Sequence, residues 1–177
     1  LNWDNLVASL KIINSPSGCF IGQRKISVST AGIVPRIYDF TRLNTQINLA
    51  ISLHSLKNHV RTSLMPVNRQ FPLPVLLDAC FNYVEQTKRQ LFFEYVLIRD
   101  VNDSPSDLSL LIDFLRSHRL FFLNLIPANP VLSKIVPSPP QTVNRFTRTL
   151  SRLGPNFTLR RSLGADISAA CGQLATK

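Results

Sequence analysis

Short β-rich runs alternate with longer stretches of helical periodicity along this chain, and no other feature of the sequence restricts its fold as tightly. Five runs enriched in β-branched and aromatic residues read as strands, at 25–29, 47–51, 91–97, 121–126 and 157–160. Between them apolar residues recur at a period near 3.6. Leu73, Leu76, Leu77, Cys80 and Val84 form one stripe, Leu108, Leu111, Ile112 and Leu115 a second, and Val143, Phe146, Leu150 and Leu153 a third. Ser104-Pro105 has the form of an N-cap followed by proline at the first helical position, and Gly154-Pro155 stops the third helix. Strand, helix and strand at this spacing predict right-handed βαβ units and a parallel sheet, open or barrel-like.

Composition narrows the function classes. A length of 177 residues suits one domain, and 45% apolar residues suffice for a real core. Only 17% of residues are charged, a composition unlike that of disordered chains. No apolar run approaches the ~18–20 residues of a membrane-crossing helix. Lys and Arg number 20 against 10 acids, so the net charge of +10 favours a polyanionic partner such as RNA, DNA or an acidic lipid surface. Arg145, Arg148 and Arg152 share one face of the third helix, opposite its apolar stripe, which is either a solvated face or an RNA contact. The segment 127–140 holds five of the twelve prolines and reads as an ordered surface loop of the kind that often serves function. Cys19, Cys80 and Cys171 lie far apart, so they encode neither a disulfide framework nor a zinc knuckle; a reducing, cytoplasmic compartment fits. The chain opens Leu1-Asn2-Trp3, and Met65 is its one methionine, so the expectation is a segment of a longer protein.

In parallel α/β folds, ligands meet the loops beyond the C-terminal ends of the strands. The first strand runs into Ser29-Thr30-Ala31-Gly32 and the second into Ser52-Leu53-His54-Ser55. The third contains Glu94 and exits through 99–103; the fourth exits through Pro127-Ala128-Asn129-Pro130. Hydroxyls, amides and a histidine at successive strand ends suit an adenosine- or amino-acid-bearing ligand held by neutral hydrogen bonds. Ser52 and His54 share a strand face, yet no Gly-x-Ser-x-Gly elbow or orienting acid supports a hydrolytic dyad. His59 and His118 are isolated in sequence and read as exposed helix-end residues, with no metal site. Cys80 reads as inert packing and Cys19 carries no signal. Cys171 differs, because it sits among small residues near Arg160 and Arg161, where guanidinium groups favour the thiolate. A nucleophile and a buried structural thiol remain the two readings there.

Six ordered motifs carry a resemblance: Lys25-Ile-Ser-Val-Ser-Thr-Ala-Gly32, Leu49-Ala-Ile-Ser-Leu-His54, Arg61-Thr-Ser-Leu-Met-Pro-Val-Asn68, Phe93-Glu-Tyr-Val-Leu97 with Val101-Asn-Asp-Ser104, Asn124-Leu-Ile-Pro-Ala-Asn-Pro130 and Ala169-Ala-Cys-Gly-Gln-Leu174. Together they resemble the C-terminal two-thirds of the RlmN/Cfr family of radical S-adenosylmethionine RNA adenine methyltransferases, with the closer match to the RlmN branch. The resemblance implies an α/β fold, a partial (β/α) barrel of the radical SAM type. Residues 1–177 would supply strands three to six of that single barrel domain plus an extension at 153–177. It implies methylation of adenine C2 in large-subunit ribosomal RNA, and in some cases transfer RNA, with S-adenosyl-L-methionine and a 4Fe-4S cluster as cofactors. Ser29, Ser52, Leu53, His54 and Asn129 match the family's cofactor-binding positions, and Cys171 matches the cysteine that carries the methyl group. An adenine C2–H is neither acidic nor nucleophilic, which is why the family turns to a radical cofactor rather than polar methyl transfer.

The departures are as specific as the matches. The Cys-x-x-x-Cys-x-x-Cys cluster motif, the Gly-Glu-Pro loop, the resolving cysteine and the family's upstream base have no counterpart here, so no metal ligand is assigned on this chain. Before Cys171 the family usually has Arg-Gly-Asp-Asp-Ile-Asp, whereas this chain reads Leu163-Gly-Ala165-Asp166-Ile-Ser168. The expectation is therefore a segment inactive on its own whose function belongs to a longer chain including the missing N-terminal part. The competing reading is a split-gene or decayed remnant that at most binds RNA weakly. A cysteine hydrolase built from Cys171 and His54 is the third.

Overall fold

The computed structural model describes residues 2–129 and 135–160. Five strands form one all-parallel sheet in the order β1-β2-β3-β4-β5: β1 (Ser27–Thr30), β2 (Asn48–Ser52), β3 (Leu91–Leu97), β4 (Phe121–Pro127) and β5 (Phe157–Leu159). Spatial order equal to chain order means that every crossover advances in the same direction. With right-handed crossovers this places all connecting helices on one face, the winding of a barrel rather than of a doubly wound sheet. The helices are α1 (Trp3–Asn14), α2 (Val34–Arg42), α3 (Asn58–Leu64), α4 (Leu73–Thr87), α5 (Pro105–Arg116) and α6 (Pro140–Leu153).

The pleat divides the sheet cleanly. Leu91, Phe93, Tyr95 and Leu97 of β3 and Phe121, Leu123 and Leu125 of β4 are buried toward the helices, while the residues between them are only half-buried. Against that buried side pack Leu76, Cys80 and Val84 of α4, Leu111 and Leu115 of α5, and Phe146 and Leu150 of α6. Phe93, Phe114 and Phe121 meet one another at ring-centroid distances of 4.9 to 5.0 Å, two of the three pairs edge-on.

Helix ends follow the local chemistry of the sequence. Ser104 and Asp107 form a reciprocal capping box at the start of α5, with Pro105 at its first position. Gly154 ends α6 in the left-handed region at φ 85°, where a side chain is disfavoured. β1 begins at Ser27 rather than Lys25, because Gln23–Lys25 is wound into a 3-10 turn. The helices α1, α2 and α3 lie outside the periodic stripes read from the sequence. α3 is only seven residues long and buries a single residue, Arg61, too little for a period to be read.

Candidate functional site

The unburied face of the sheet carries a row of polar residues near the C-terminal ends of its strands. The register aligns Ser52 with Glu94, Glu94 with Asn124, and Asn124 with Thr158. Ser29 lies toward the same end of the edge strand, one position before Thr30, and pairs with Ala50. Asn124 Nδ2 donates to Glu94 Oε1 at 2.8 Å, whereas Glu94 Oε2 is buried with no hydrogen-bond partner. An orphaned carboxylate oxygen is costly to keep unless something donates to it. Ligand hydroxyls are suitable donors.

One buried guanidinium holds the first two strand ends together. Arg61 is 0% exposed. Its Nη2 donates to Ala31 O at 2.8 Å, beyond the end of β1, and to Ser52 O at 3.1 Å, the last residue of β2. Its Nη1 donates to Asn68 Oδ1 at 2.6 Å. The Asn68 amide is fixed in turn, because its Nδ2 donates to Asn58 Oδ1 and Thr62 Oγ1, at 2.9 and 2.8 Å. No carboxylate pairs with Arg61 among the described residues, and its Nε has no partner. Gly32 has φ +103°, and a Cβ there would sit 2.9 Å from Arg61 Nη2. The glycine of Ser-Thr-x-Gly is therefore what lets the chain wrap this close to the guanidinium.

His54 stands just past β2 with φ 56°. Its Nδ1 accepts the backbone N–H of Val96 at 3.2 Å, so the ring proton resides on Nε2. Burial, with Arg61 nearby, holds its pKa down at about 4, so the ring is neutral near pH 7. Asn102, fully buried, locks the same corner. Its Nδ2 donates to His54 O at 2.6 Å and Val96 O at 2.7 Å, and its Oδ1 accepts from Ile98 N at 2.8 Å. Tyr95 Oη donates to Asn102 O at 2.8 Å. His54 is thus a rigid neutral donor at the mouth of the sheet, and its second ring nitrogen bears a hydrogen.

The structure brings Ser29, Ser52 and His54 to one end of the sheet. Asn129 lies half-buried two residues past β4, at the same end. Leu53 contributes differently: its side chain is fully buried in the core and its N–H donates to Glu94 O at 3.0 Å. It fixes the backbone between Ser52 and His54. Cys171 and the loop before it lie outside the described residues. Cys80 is buried, its thiol pushed up by that burial, and Cys19 is exposed in a turn. His59 is exposed as expected, but His118 is not; it is half-buried against Phe81 and Phe121, with Nε2 3.1 Å from Glu85. The residue that sequence reasoning passed over is Arg61. A lone arginine in a short helix has no local signature, and only its place at the head of the Arg61-to-Asn68 motif marks it.

Hydroxyls, an amide, a neutral imidazole and an orphaned carboxylate oxygen fit the ribose and heteroatoms of an adenosyl ligand. A cluster does not fit: no group of three His, Cys, Asp or Glu suitable for a metal occurs among the described residues. Nor do the three cysteines of the sequence have cluster spacing.

A sequential parallel sheet with helices on one side and polar strand ends is the frame of a radical S-adenosylmethionine barrel. A radical SAM methyltransferase from Sphaerobacter thermophilus superposes with a TM-score of 0.89 at 41% identity, over 97% of this chain and 51% of that one. In sequence the chain is similar to curated RlmN proteins. It is 45% identical over 177 residues to a probable dual-specificity RNA methyltransferase RlmN of Caldanaerobacter subterraneus, covering 99% of this chain and 52% of the relative. The RlmN of Geobacillus kaustophilus is 46% identical over 180 residues, covering 99% and 48%. The chain spans about half the length of the curated relatives it matches. No family model matches the chain.

Proposed function

We propose that this chain provides the cofactor-binding and methyl-carrying part of a radical S-adenosylmethionine RNA methyltransferase acting on adenine C2. The substrates are large-subunit ribosomal RNA and transfer RNA, in a cytoplasmic setting. The observation that carries the reading is the convergence of Ser29, Ser52, His54 and Asn129 at one end of the sheet in a chain 45% identical to an RlmN. When bound, S-adenosylmethionine would supply the methyl group and, with an iron–sulfur cluster held elsewhere in the protein, the one-electron chemistry that an unactivated C2–H demands.

The chain's own residues bind and orient. Ser29, Ser52 and Asn129 would hydrogen-bond the adenosyl ligand, Leu53 sets the backbone between Ser52 and His54, and His54 would donate through Nε2. With its Nδ1 occupied by Val96 N–H, His54 would orient the ligand through the Nε2 proton. Cys171, as a thiolate, would take the methyl from the sulfonium of S-adenosylmethionine, which would leave as S-adenosylhomocysteine, and so carry it toward RNA.

Expression of the chain, alone and fused behind the N-terminal half of the Caldanaerobacter subterraneus relative, in cells lacking adenine C2 methylation tests this. Nucleoside mass spectrometry should show 2-methyladenosine with the longer protein and none after Cys171→Ala. No 2-methyladenosine from either form would favour the second reading, a non-catalytic piece. Leu163, Ala165 and Ser168 speak for that reading, since the family usually has Arg or Asp there.

A further inference from the structure

The positive charge of the chain is concentrated. From Phe114 to Ala165 there is no Asp or Glu, while eight Lys and Arg fall in that stretch, accounting for eight of the ten net positive charges. α6 is the exposed helix at its centre. It buries Phe146 and Leu150 and turns Arg145, Arg148 and Arg152 outward.

Four cations elsewhere on the surface are held by acids, and among the described residues none of these three arginines is. Arg36 and Arg42 pair with Asp39, Lys88 with Glu85, and Lys57 with Asp107. Arg148 and Arg152 make no hydrogen bond or ion pair among the described residues. Arg145 uses one nitrogen, Nη2, on Asp103 O at 3.0 Å, which ties α6 to the loop before α5. Spacing of i, i+3 and i+7 puts all three on one face along about 10 Å of helix, at 1.5 Å rise per residue. Arg145 and Arg148 also line a polar hollow of about 400 Å³ together with Gln141, Asn144 and Thr149. Its walls present guanidinium, amide and hydroxyl groups and no carboxylate. The first turn of α6 follows the β4 exit, so this face starts at the end of the sheet that carries Ser52 and His54.

We propose that the outer face of α6 is an RNA-backbone interface, with Arg145, Arg148 and Arg152 on successive phosphates and Gln141 and Asn144 on sugar or base edges. The choice of RNA rests on the proposed function; the choice of face rests on charge complementarity to a polyanion. Guanidinium groups match phosphate oxygens bidentately, and no carboxylate lines the hollow beside Arg148, although Arg145 shares a second hollow with Asp100, Asp103 and Asp107.

The test is fluorescence anisotropy of a labelled, folded transfer RNA transcript against the 177-residue chain, between 50 and 300 mM salt. Removing one arginine that neutralises a phosphate should flatten the plot of log K against log salt by roughly 0.7 to 0.9. Arg148→Gln with Arg152→Gln should flatten it by about 1.5 and weaken binding roughly tenfold or more at 100 mM salt. Neither side chain has a partner among the described residues, so the fold should be untouched, which a melting curve verifies. Adding Arg145→Gln should flatten the slope further. Arg36→Gln with Arg42→Gln removes the same charge from α2 and should leave the slope nearly unchanged. Equal flattening by both pairs would overturn the interface in favour of net charge alone. An unaltered slope in the α6 variant, with RNA still bound by the parent, would sink the interface and leave the RNA reading standing. If the parent bound vesicles of phosphatidylserine but no RNA at 50 mM salt, both would fall.

Discussion

Arg61 and His54 set the electrostatics of the candidate site, and each makes a separate prediction. Arg61 is a buried charge whose favourable contacts are three neutral oxygens and no acid, a costly arrangement that is tolerated only where the hydrogen bonds matter. Arg61→Met would leave Ala31 O, Ser52 O and Asn68 Oδ1 without this donor, while relieving the uncompensated charge. The expected net cost is about 2–4 kcal/mol in urea unfolding. The same substitution removes a positive neighbour from His54, so the protonation midpoint of that ring should rise from about 4, read by NMR titration of the imidazole. A midpoint that stays put would mean that burial alone depresses it. His54 also links stability to pH. Its folded-state pKa of about 4 lies below its ordinary 6.5, so the unfolded chain binds the proton more readily between those values. This contribution is fully present above pH 6.5 and is lost as pH falls toward 4, by on the order of 3 kcal/mol in all. His54→Gln, which keeps an acceptor for Val96 N–H, should flatten the acid limb of a pH–stability curve; an unchanged limb would assign it to other groups.

At the scale of elements, the legible parts of the fold were those with strong local chemistry. β3 and β4 are runs dominated by apolar and aromatic residues, and the structure places β3 at the expected bounds, Leu91–Leu97. Ser104-Pro105 and Gly154 mark helix ends because one supplies an N-cap oxygen and the other tolerates positive φ. Ser104→Ala should therefore cost about 1 kcal/mol. Gly154→Ala should cost a similar amount, since nothing lies within 4 Å of an added Cβ and only the backbone conformation resists it. Thermal or chemical melts check both, and a neutral Gly154→Ala would mean that the C-cap relaxes out of the left-handed region. α3 was illegible for a physical reason, since seven residues burying only Arg61 make no period. α2 carries one that went unread, Val34, Ile37 and Phe40 buried at three-residue spacing. The site divides in the same way. Ser29, Ser52 and His54 could be picked out from their place after strands, because topology alone sends strand ends to one end of a parallel sheet. Arg61, Asn68 and Asn102 could not, since their partners lie in other segments: Arg61 reaches Ala31, 30 residues away, and Asn102 reaches His54, 48 away.

At the scale of the whole molecule, the sheet is an open arc in this structure. Among the described residues β1 and β5 pair on one side only, and the face opposite the helices carries Phe92, Val96, Phe122 and Ile126 around the polar row, all only half-buried. Phe92 and Phe122 meet across that face with centroids 5.3 Å apart. Beside β1 a hollow of about 720 Å³ is lined by Trp3, Leu6, Phe40 and Phe71 as well as strand residues. Unpaired parallel edges next to exposed apolar surface template association between copies. The net charge of +10 opposes it at low salt by mutual repulsion, but that repulsion is screened over about 8 Å at physiological ionic strength. The expectation is therefore salt-promoted self-association of the 177-residue chain. Light scattering at about 50 μM protein should rise between 20 and 300 mM salt. Ser27→Lys, which places a charge on the exposed edge strand outside the candidate site, should shift that rise to higher salt. Phe122→Ser on the open face should do the same if the face contributes and leave it unmoved if the edge acts alone. A monodisperse monomer across the whole range, melting reversibly in one step, would show that the arc is self-sufficient and that its open face needs no covering.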